Sequence, residues 1–169
     1  MENSKNFKEL LHQVRCFVFD VDGVLTDGSL FIQTDGSMLR KMNIKDGYAL
    51  QLAARSGYFI FVISGSTPEG VAKRLERLGI DEVHIGIENK LLLLENLLVK
   101  HKVKFSEVLY MGDDMPDLHV LQHCEVRTCP ADAVYQIKSA CQYTSPYKGG
   151  EGCVRDVIEQ VLSLKGEWK

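Results

Sequence analysis

The segment from residue 15 to residue 21 contains the apolar run Cys16-Phe17-Val18-Phe19, which is followed at once by Asp20. A strand with one exposed face alternates apolar and polar residues, whereas an unbroken apolar run is typical of a strand buried on both faces. Strands of this kind belong to parallel sheets that are covered by helices on both sides. The segment therefore predicts an α/β fold built on a central parallel sheet.

Similar runs recur along the chain and alternate with segments of helical spacing. Further strands are predicted at residues 59–63, 83–85 and 108–111, with a weaker one at 125–127. Apolar residues three and four positions apart predict helices at 46–55, 68–78, 90–100, 116–123 and 153–164. Because parallel neighbours need crossover connections, this β-α-β-α order predicts a Rossmann-like core with helices flanking the sheet.

An insertion at about residues 28–43 separates the first strand from the first helix. Its central Asp35-Gly36 is a strong hairpin signal, so a β-hairpin is expected to interrupt the wound core. A flexible Gly-rich segment is expected at about residues 147–153, before the last helix. The length of 169 residues predicts a single domain over residues 1–169, without a large cap domain.

Charge and cysteine content argue against several classes of function. The 20 Lys and Arg residues against 23 Asp and Glu residues give a formal net charge of −3, and no basic stripe favours nucleic-acid binding. The five cysteines form no C-x-x-C pair, and their odd number is typical of reduced thiols in a reducing compartment. Without a signal peptide or a long apolar segment, a cytoplasmic protein that does not bind membranes is expected.

Polar residues accumulate where the predicted strands end. Asp20 and Asp22 follow the first strand, Ser64-Gly65 follows the second, Asp113-Asp114 follows the fourth, and Lys90 opens a helix. Ligands of open α/β sheets bind at this edge, so these side chains are expected to meet. Two like charges about 4 Å apart cost about 4 kcal/mol near a protein surface, so clustered carboxylates need a cation. Because the donors are all oxygen atoms, the expected cation is Mg²⁺, which often binds beside a substrate phosphate.

Four segments of the chain, taken together, resemble the motifs of the haloacid dehalogenase-like phosphatases. They are Asp20-Val21-Asp22-Gly23-Val24-Leu25-Thr26-Asp27, Ser64, Lys90 and Gly112-Asp113-Asp114-Met115-Pro116-Asp117. Further features are similar to the small capless branch of that superfamily, typified by 3-deoxy-D-manno-octulosonate 8-phosphate phosphatase. They are the hairpin, Lys45-Asp46-Gly47-Tyr48, Gly86 and Gly149-Gly150-Glu151-Gly152-Cys153-Val154-Arg155. The resemblance extends from about residue 15 to about residue 164.

The resemblance implies a phosphomonoesterase that works through an aspartyl-phosphate intermediate. Asp20 would be the nucleophile, since a carboxylate is ionised at neutral pH without an activating base. Asp22 would act as general acid toward the leaving group and then as general base toward water. Ser64, Gly65 and Lys90 would bind the phosphoryl group through a hydroxyl, backbone N–H groups and an ammonium.

The same resemblance implies a Mg²⁺ site. The side chains of Asp20 and Asp113 and the backbone carbonyl of Asp22 would hold the metal. Asp114 would hold a metal-bound water or orient the lysine. Asp117 has either a functional part or only that of a residue at the start of a helix.

The implied substrate is a phosphorylated 2-keto-3-deoxy sugar acid, with 3-deoxy-D-manno-octulosonate 8-phosphate of lipopolysaccharide biosynthesis as the first candidate. The candidates to bind its carboxylate are Arg40, Lys41, Lys45 and Arg155, although they could equally be ordinary surface charges. The capless branch closes its open active site by forming a homotetramer in which hairpins cover neighbouring active sites. The apolar hairpin residues that would form this interface, or otherwise cover their own core, are Leu30, Phe31, Ile32 and Met42.

Two positions depart from the octulosonate phosphatases, which usually carry Thr-Gly-Arg and an Arg in the Gly-rich segment. Ser64-Gly65-Ser66 and Glu151 occupy these places, so two guanidinium groups suited to a carboxylate are lost. A phosphatase for a nine-carbon, sialic-acid-like 9-phosphate is therefore the alternative within this class.

Two readings from other classes also remain open. A phospho-acceptor signalling domain would carry an acceptor Asp after its third strand, where this chain has Gly86 without an Asp beside it. An inactive assembly subunit would not need the catalytic residue types, all of which are present.

Overall fold

The computed structural model describes residues 6–80 and 82–168. The strands in these ranges are β1 (Cys16–Phe19), β2 (Phe31–Ile32), β3 (Met38–Leu39), β4 (Phe59–Ile63), β5 (Glu82–His84), β6 (Val108–Met111), β7 (Val126–Cys129) and β8 (Tyr143–Thr144). The helices are α1 (Phe7–Leu10), α2 (Ile44–Arg55), α3 (Glu69–Arg77), α4 (Lys90–His101), α5 (Met115–Leu121), α6 (Tyr135–Ala140) and α7 (Cys153–Leu164). The predicted elements are all present within a few residues of their expected bounds, whereas α1, α6 and β8 were not predicted.

Six strands form one parallel sheet in the order β5-β4-β1-β6-β7-β8. The chain runs outward from β1 to β4 and β5, returns to the other side of β1 as β6, and continues to β7 and β8. This is a doubly wound sheet, with its switch point at β1. The predicted Rossmann-like α/β fold is confirmed, and the described part of the chain contains no large cap domain.

Two apolar layers cover the sheet because successive residues of each strand point to opposite faces. Phe17 and Phe19 of β1 pack with residues of α2, α3 and α7 on one face. Cys16 and Val18 pack with residues of α4, α5 and α6 on the other face. β1 is buried throughout, as its unbroken apolar run predicts.

The insertion forms an antiparallel hairpin in which Phe31 pairs with Leu39 and Ile32 with Met38. Gly36 adopts φ 83° at its tip, a conformation that residues with a side chain rarely adopt. Leu30, Phe31 and Ile32 are exposed within one chain, whereas Met42 packs against the core. Of the four apolar hairpin residues, Met42 therefore covers its own core, and the other three are left on the surface.

Asp46 has a structural role that the sequence did not reveal. The N-cap position of α7 is Gly152, which has no side chain to cap the helix. Asp46, buried in the first turn of α2, accepts a hydrogen bond from the backbone N–H of Arg155 at 2.7 Å. The carboxylate thus caps α7 from a neighbouring helix and fixes the Gly-rich segment that precedes it.

Two observations bear on the expected environment of the protein. All five cysteines are free thiols, as expected, and only Cys141 is partly exposed. Within the two described ranges, no helix has both the length and the apolar character needed to cross a bilayer.

Candidate active site

The carboxyl ends of three neighbouring strands define the site. Phe19 at the end of β1 pairs with Val62 of β4 and with Met111 of β6. Asp20 is the next residue, and its backbone N–H donates to the carbonyl of Met111 at 3.1 Å. Because the three strands end almost level, the polar residues that follow them share one edge of the sheet.

These residues line a cavity of about 390 Å³. The predicted site residues that the structure brings together there are Asp20, Asp22, Ser64, Gly65, Lys90, Asp113 and Asp114. The cavity is also lined by Ser66, one of the positions that depart from the octulosonate phosphatases, and by Asp117. The expectation that the four motifs meet in one crevice therefore holds, while the role of each residue stays a prediction.

Lys90 lies at the first position of α4 and is almost completely buried. Its ammonium donates to Asp20 Oδ1 and to Asp117 Oδ1, both at 2.7 Å. Burial opposes the charged form, but the charges of Asp117 and Asp20 outweigh burial and raise the pKa of Lys90 above its usual value. An ammonium has three N–H groups, so one of them is left for a ligand.

Asp117 is the residue whose importance the sequence left open. It lies in the first turn of α5, is only 1% exposed, and uses both carboxylate oxygens. Oδ1 accepts hydrogen bonds from Lys90 and from the Tyr110 hydroxyl at 2.7 Å each, and Oδ2 accepts the backbone N–H of Asp113 at 3.1 Å. A Cβ at position 112 would lie 2.4 Å from Asp117 Cγ, which explains the Gly in Gly112-Asp113-Asp114.

The acidic residues suit a divalent cation. Asp20, Asp113 and Asp117 each offer a carboxylate oxygen, and these oxygens all lie within 4.8 Å of one another. Burial, followed by the charge of Asp20, raises the pKa of Asp113 to about 8. Burial, followed by the charge of Asp117, raises the pKa of Asp20 to about 6. Burial and mutual repulsion thus disfavour the ionised form of these carboxyls, and a divalent cation on their hard oxygen donors would offset that cost, which fits Mg²⁺.

Two further residues bear on the predicted metal site. Asp114 lies outside the three-carboxylate cluster, is exposed, and accepts a hydrogen bond from the backbone N–H of Met115 at 2.7 Å, as a helix N-cap. Asp117 stands in the cluster instead, but its two oxygens are occupied by Lys90, Tyr110 and a backbone N–H. This makes Asp20 and Asp113 the side chains best suited to share a metal.

Asp22 lies in a tight turn that directly follows Asp20. The turn Val21–Leu25 contains Gly23 at φ 84°, and a Cβ on Gly23 would lie 2.0 Å from Asp113 Oδ2. Position 23 therefore needs Gly both for its backbone conformation and for its close approach to the acidic cluster. Asp22 nevertheless lines the same cavity as Asp20, as predicted.

Two side chains hold the Asp22 carboxylate. Arg40 donates to it through Nε at 2.6 Å and Nη2 at 3.1 Å, and the Ser66 hydroxyl donates at 2.7 Å. Ser66 Oγ in turn lies 3.0 Å from Ser64 Oγ. Of the four candidates for a carboxylate partner, Arg40 is therefore next to the site, whereas Lys41 pairs with Asp27 at 2.7 Å.

The other two candidates lie elsewhere. Lys45 and Arg155 line a separate cavity of about 640 Å³, together with Glu151. Arg155 Nε donates to Glu159 at 3.0 Å, and its guanidinium lies 5.1 Å from the centre of the Trp168 ring. Within one chain these two cations do not line the cavity of Asp20. Their contact with a substrate carboxylate stays a prediction.

Comparison with known proteins gives a consistent result, although no model of a protein family matches the chain. The 3-deoxy-D-manno-octulosonate 8-phosphate phosphatase of Escherichia coli K12 is 32% identical over 154 residues, which cover 91% of this chain and 82% of that protein. A probable YrbI family phosphatase from Pseudomonas syringae has a TM-score of 0.92 at 34% identity, covering 95% of this chain and 92% of that one.

A third similar protein was solved with ligands. It is the 3-deoxy-D-manno-octulosonate 8-phosphate phosphatase of Moraxella catarrhalis in complex with a magnesium ion, a phosphate ion and a KDO molecule. Its TM-score is 0.92 at 28% identity, and the match covers 96% of this chain and 93% of that one. The similarity covers at least 91% of this chain in all three cases.

Proposed function

Because the chain belongs to the 3-deoxy-D-manno-octulosonate 8-phosphate phosphatase branch of the haloacid dehalogenase superfamily, and is a Mg²⁺-dependent phosphatase of that type, we propose that its substrate is a phosphorylated 2-keto-3-deoxy sugar acid. The observation that carries the proposal is the contact of Lys90 with Asp20 in the cavity that Asp113 also lines. This arrangement supports Asp20 as nucleophile, Lys90 as cation and Asp113 as metal ligand around the space for one phosphoryl group.

Hydrolysis proceeds in two displacements. Asp20 attacks phosphorus, so that a bond from its carboxylate oxygen to phosphorus forms while the ester P–O bond breaks, and Asp22 gives its proton to the departing alkoxide. Asp22 then takes a proton from water, the water oxygen bonds to phosphorus, and the bond between Asp20 and phosphorus breaks. Bound Mg²⁺, held by Asp20 and Asp113, supplies charge neutralisation at the phosphoryl oxygens.

Lys90 and Ser64 bind the phosphoryl oxygens. Lys90 uses the N–H group that neither Asp20 nor Asp117 occupies. The Ser64 hydroxyl is buried at the end of β4 and lies within hydrogen-bond distance of Ser66, which fixes its orientation. Both groups remain in place when charge moves onto phosphorus, so they need little reorganisation during the reaction.

Similarity to the octulosonate phosphatases favours the eight-carbon acid over the nine-carbon alternative. Ser66 replaces an Arg that is usual in these enzymes, but Arg40 Nη2 lies 3.5 Å from Ser66 Oγ. A guanidinium is therefore present on this side of the cavity, where its Nε and Nη2 pair with Asp22. We propose 3-deoxy-D-manno-octulosonate 8-phosphate as the substrate.

The substrate assignment is tested by steady-state kinetics with Mg²⁺ on a panel of phosphate esters. The panel contains the eight-carbon 8-phosphate, a nine-carbon sugar-acid 9-phosphate, glucose 6-phosphate and p-nitrophenyl phosphate. We expect the highest kcat/KM for the eight-carbon acid, by at least about tenfold, because a site that pairs with a carboxylate rejects neutral sugars. If the nine-carbon acid gives the highest kcat/KM, the proposed eight-carbon substrate is wrong. A kcat/KM for glucose 6-phosphate equal to that for the eight-carbon acid would rule out a site specific for sugar acids.

The exposed hairpin supports a proposal about assembly. Phe31 is 61% exposed and Ile32 is 74% exposed, which is unusual for neighbouring large apolar residues. We propose that a homotetramer buries them, with each hairpin covering the cavity of a neighbouring subunit. Light scattering should give a tetramer for the wild type and a smaller species for Ile32→Glu, with a raised KM for the sugar acid. A wild-type monomer with full activity would contradict this assembly.

A further inference from the structure

Tyr110 is a polar residue at the centre of the core. It lies in β6, is fully buried, and is the largest of the fully buried side chains. Its neighbours in the same layer are mostly apolar, and a hydroxyl buried without a partner is costly. The hydroxyl has one partner, Asp117 Oδ1, to which it donates at 2.7 Å.

Asp117 is in turn the fixed anchor of Lys90. The lysine side chain has four rotatable bonds, and among the residues that the structure describes its ammonium is hydrogen-bonded to Asp117 and Asp20. Asp20 is the group that forms a bond to phosphorus, so its contact with Lys90 must change during the reaction. Asp117 keeps the ammonium in place through that change if the carboxylate itself cannot rotate.

Tyr110 restrains that rotation. Asp117 Oδ2 is tied to the backbone N–H of Asp113 at 3.1 Å, and Oδ1 is tied to the Tyr110 hydroxyl from inside the core. Without the hydroxyl, Oδ1 would keep only its bond to Lys90, which is the group to be positioned. A hydrogen bond from a rigid buried ring to a carboxylate is short and strong enough to fix its plane.

We propose that Tyr110 is a positioning residue of the phosphatase, whose hydroxyl orients Asp117 and thereby holds Lys90 beside Asp20. Tyr110 does not touch the substrate and does not line the cavity. The inference rests on the proposed roles of Asp20 and Lys90. It predicts that the loss of one buried hydroxyl lowers the rate of the chemical step and leaves substrate affinity unchanged.

Tyr110→Phe removes the hydroxyl and keeps the ring. With saturating Mg²⁺ and p-nitrophenyl phosphate, we expect kcat to fall about tenfold, as the loss of one hydrogen bond to a charged group predicts, with KM within about twofold. Tyr143→Phe is the matched control, because the Tyr143 hydroxyl donates to Asp156 at 2.9 Å and neither residue lines the cavity of Asp20. The control variant should lose comparable thermal stability but no kcat. A kcat of Tyr110→Phe equal to that of the wild type would overturn the inference.

A double-mutant cycle with Asp117→Asn separates positioning from a general structural effect. If Tyr110 acts through Asp117, adding Tyr110→Phe to Asp117→Asn should not lower kcat further. Independent, multiplicative losses would overturn the inference even if Tyr110→Phe alone is slow. Wild-type turnover separates this inference from the proposed function. An inactive wild type would contradict the proposed function as well. An active wild type whose kcat is unchanged in Tyr110→Phe would contradict this inference alone.

Discussion

The guanidinium of Arg40 donates two hydrogen bonds to the carboxylate of Asp22, from Nε at 2.6 Å and from Nη2 at 3.1 Å. Arg40 directly follows β3, and its side chain is only 7% exposed, so the pair joins the hairpin to the turn that carries Asp22. Burial alone would raise the pKa of Asp22, but the hydrogen bonds from Arg40 and Ser66 lower it below its usual value. These contacts favour the carboxylate form of Asp22, which accepts a proton from water in the second displacement, whereas the first displacement needs Asp22 to carry a proton.

Removing this contact should impair catalysis. In Arg40→Ala, Asp22 loses a two-point anchor, and we expect kcat/KM to fall about 10- to 100-fold, as for other hydrogen bonds between charged groups. Lys41→Ala is the control: Lys41 is the next residue, and it pairs with Asp27 at 2.7 Å, but its side chain is 60% exposed. That variant should stay within about twofold of the wild type. Equal kcat/KM values for the two variants would show that the contact between Arg40 and Asp22 does not contribute to catalysis.

Gly23 and Gly57 allow backbone strain to be separated from a steric effect on the metal site. Both have strongly positive φ, 84° and 88°, but a Cβ on Gly23 would lie 2.0 Å from Asp113 Oδ2, while a Cβ on Gly57 would meet nothing within 4 Å. Both Gly→Ala variants should lose about 1–2 kcal/mol of stability in urea titrations. Only Gly23→Ala should also need more Mg²⁺ for half-maximal activity, by at least about tenfold, because Asp113 is displaced. Normal Mg²⁺ activation in Gly23→Ala would contradict the placement of Asp113.

The parts of the site that follow from strand ends could be predicted from the sequence. Apolar runs give the position of Asp20, Ser64 and Asp113, and neighbouring parallel strands end at one edge. Tyr110 could not be recognised as part of the site, because it lies within an apolar run and an aromatic ring there is typical of a core residue. Asp117 could not be separated from an ordinary helix-start residue until its burial was known.

Contacts between segments that are distant in the chain could not be predicted from the sequence either. The pairing of Arg40 with Asp22 depends on how the hairpin folds back, which no local pattern encodes. α6 and β8 were missed because residues 135–144 contain only six helical and two extended residues, too few for either period to be recognised.

Acid stability should depend on Glu82 at the edge of the sheet. Burial would raise the pKa of this carboxyl, but hydrogen bonds from Lys100, His101 and His84 outweigh burial and lower it to about 2. A carboxyl with a lowered folded-state pKa stabilises the fold above its unfolded value of 4.5, and that contribution is lost as the pH falls toward 2.

The Glu82 effect can be measured as the urea midpoint of wild type and Glu82→Gln between about pH 6 and about pH 2.5. The wild type should be the more stable protein at pH 6, and the difference should shrink on acidification. Glu95→Gln, at an exposed position of α4, should show no such dependence. A difference between wild type and Glu82→Gln that is constant over this range would contradict the ionic role of Glu82.

The central claim, that Asp20 attacks phosphorus beside a Mg²⁺ ion shared with Asp113, is tested most directly by a crystal structure with Mg²⁺ and beryllium fluoride, a mimic of the phosphoryl group. We predict beryllium bonded to a carboxylate oxygen of Asp20, with Mg²⁺ about 2.1 Å from oxygens of Asp20 and Asp113. Beryllium fluoride on another residue, or a metal that does not contact both of these carboxylates, would contradict the claim.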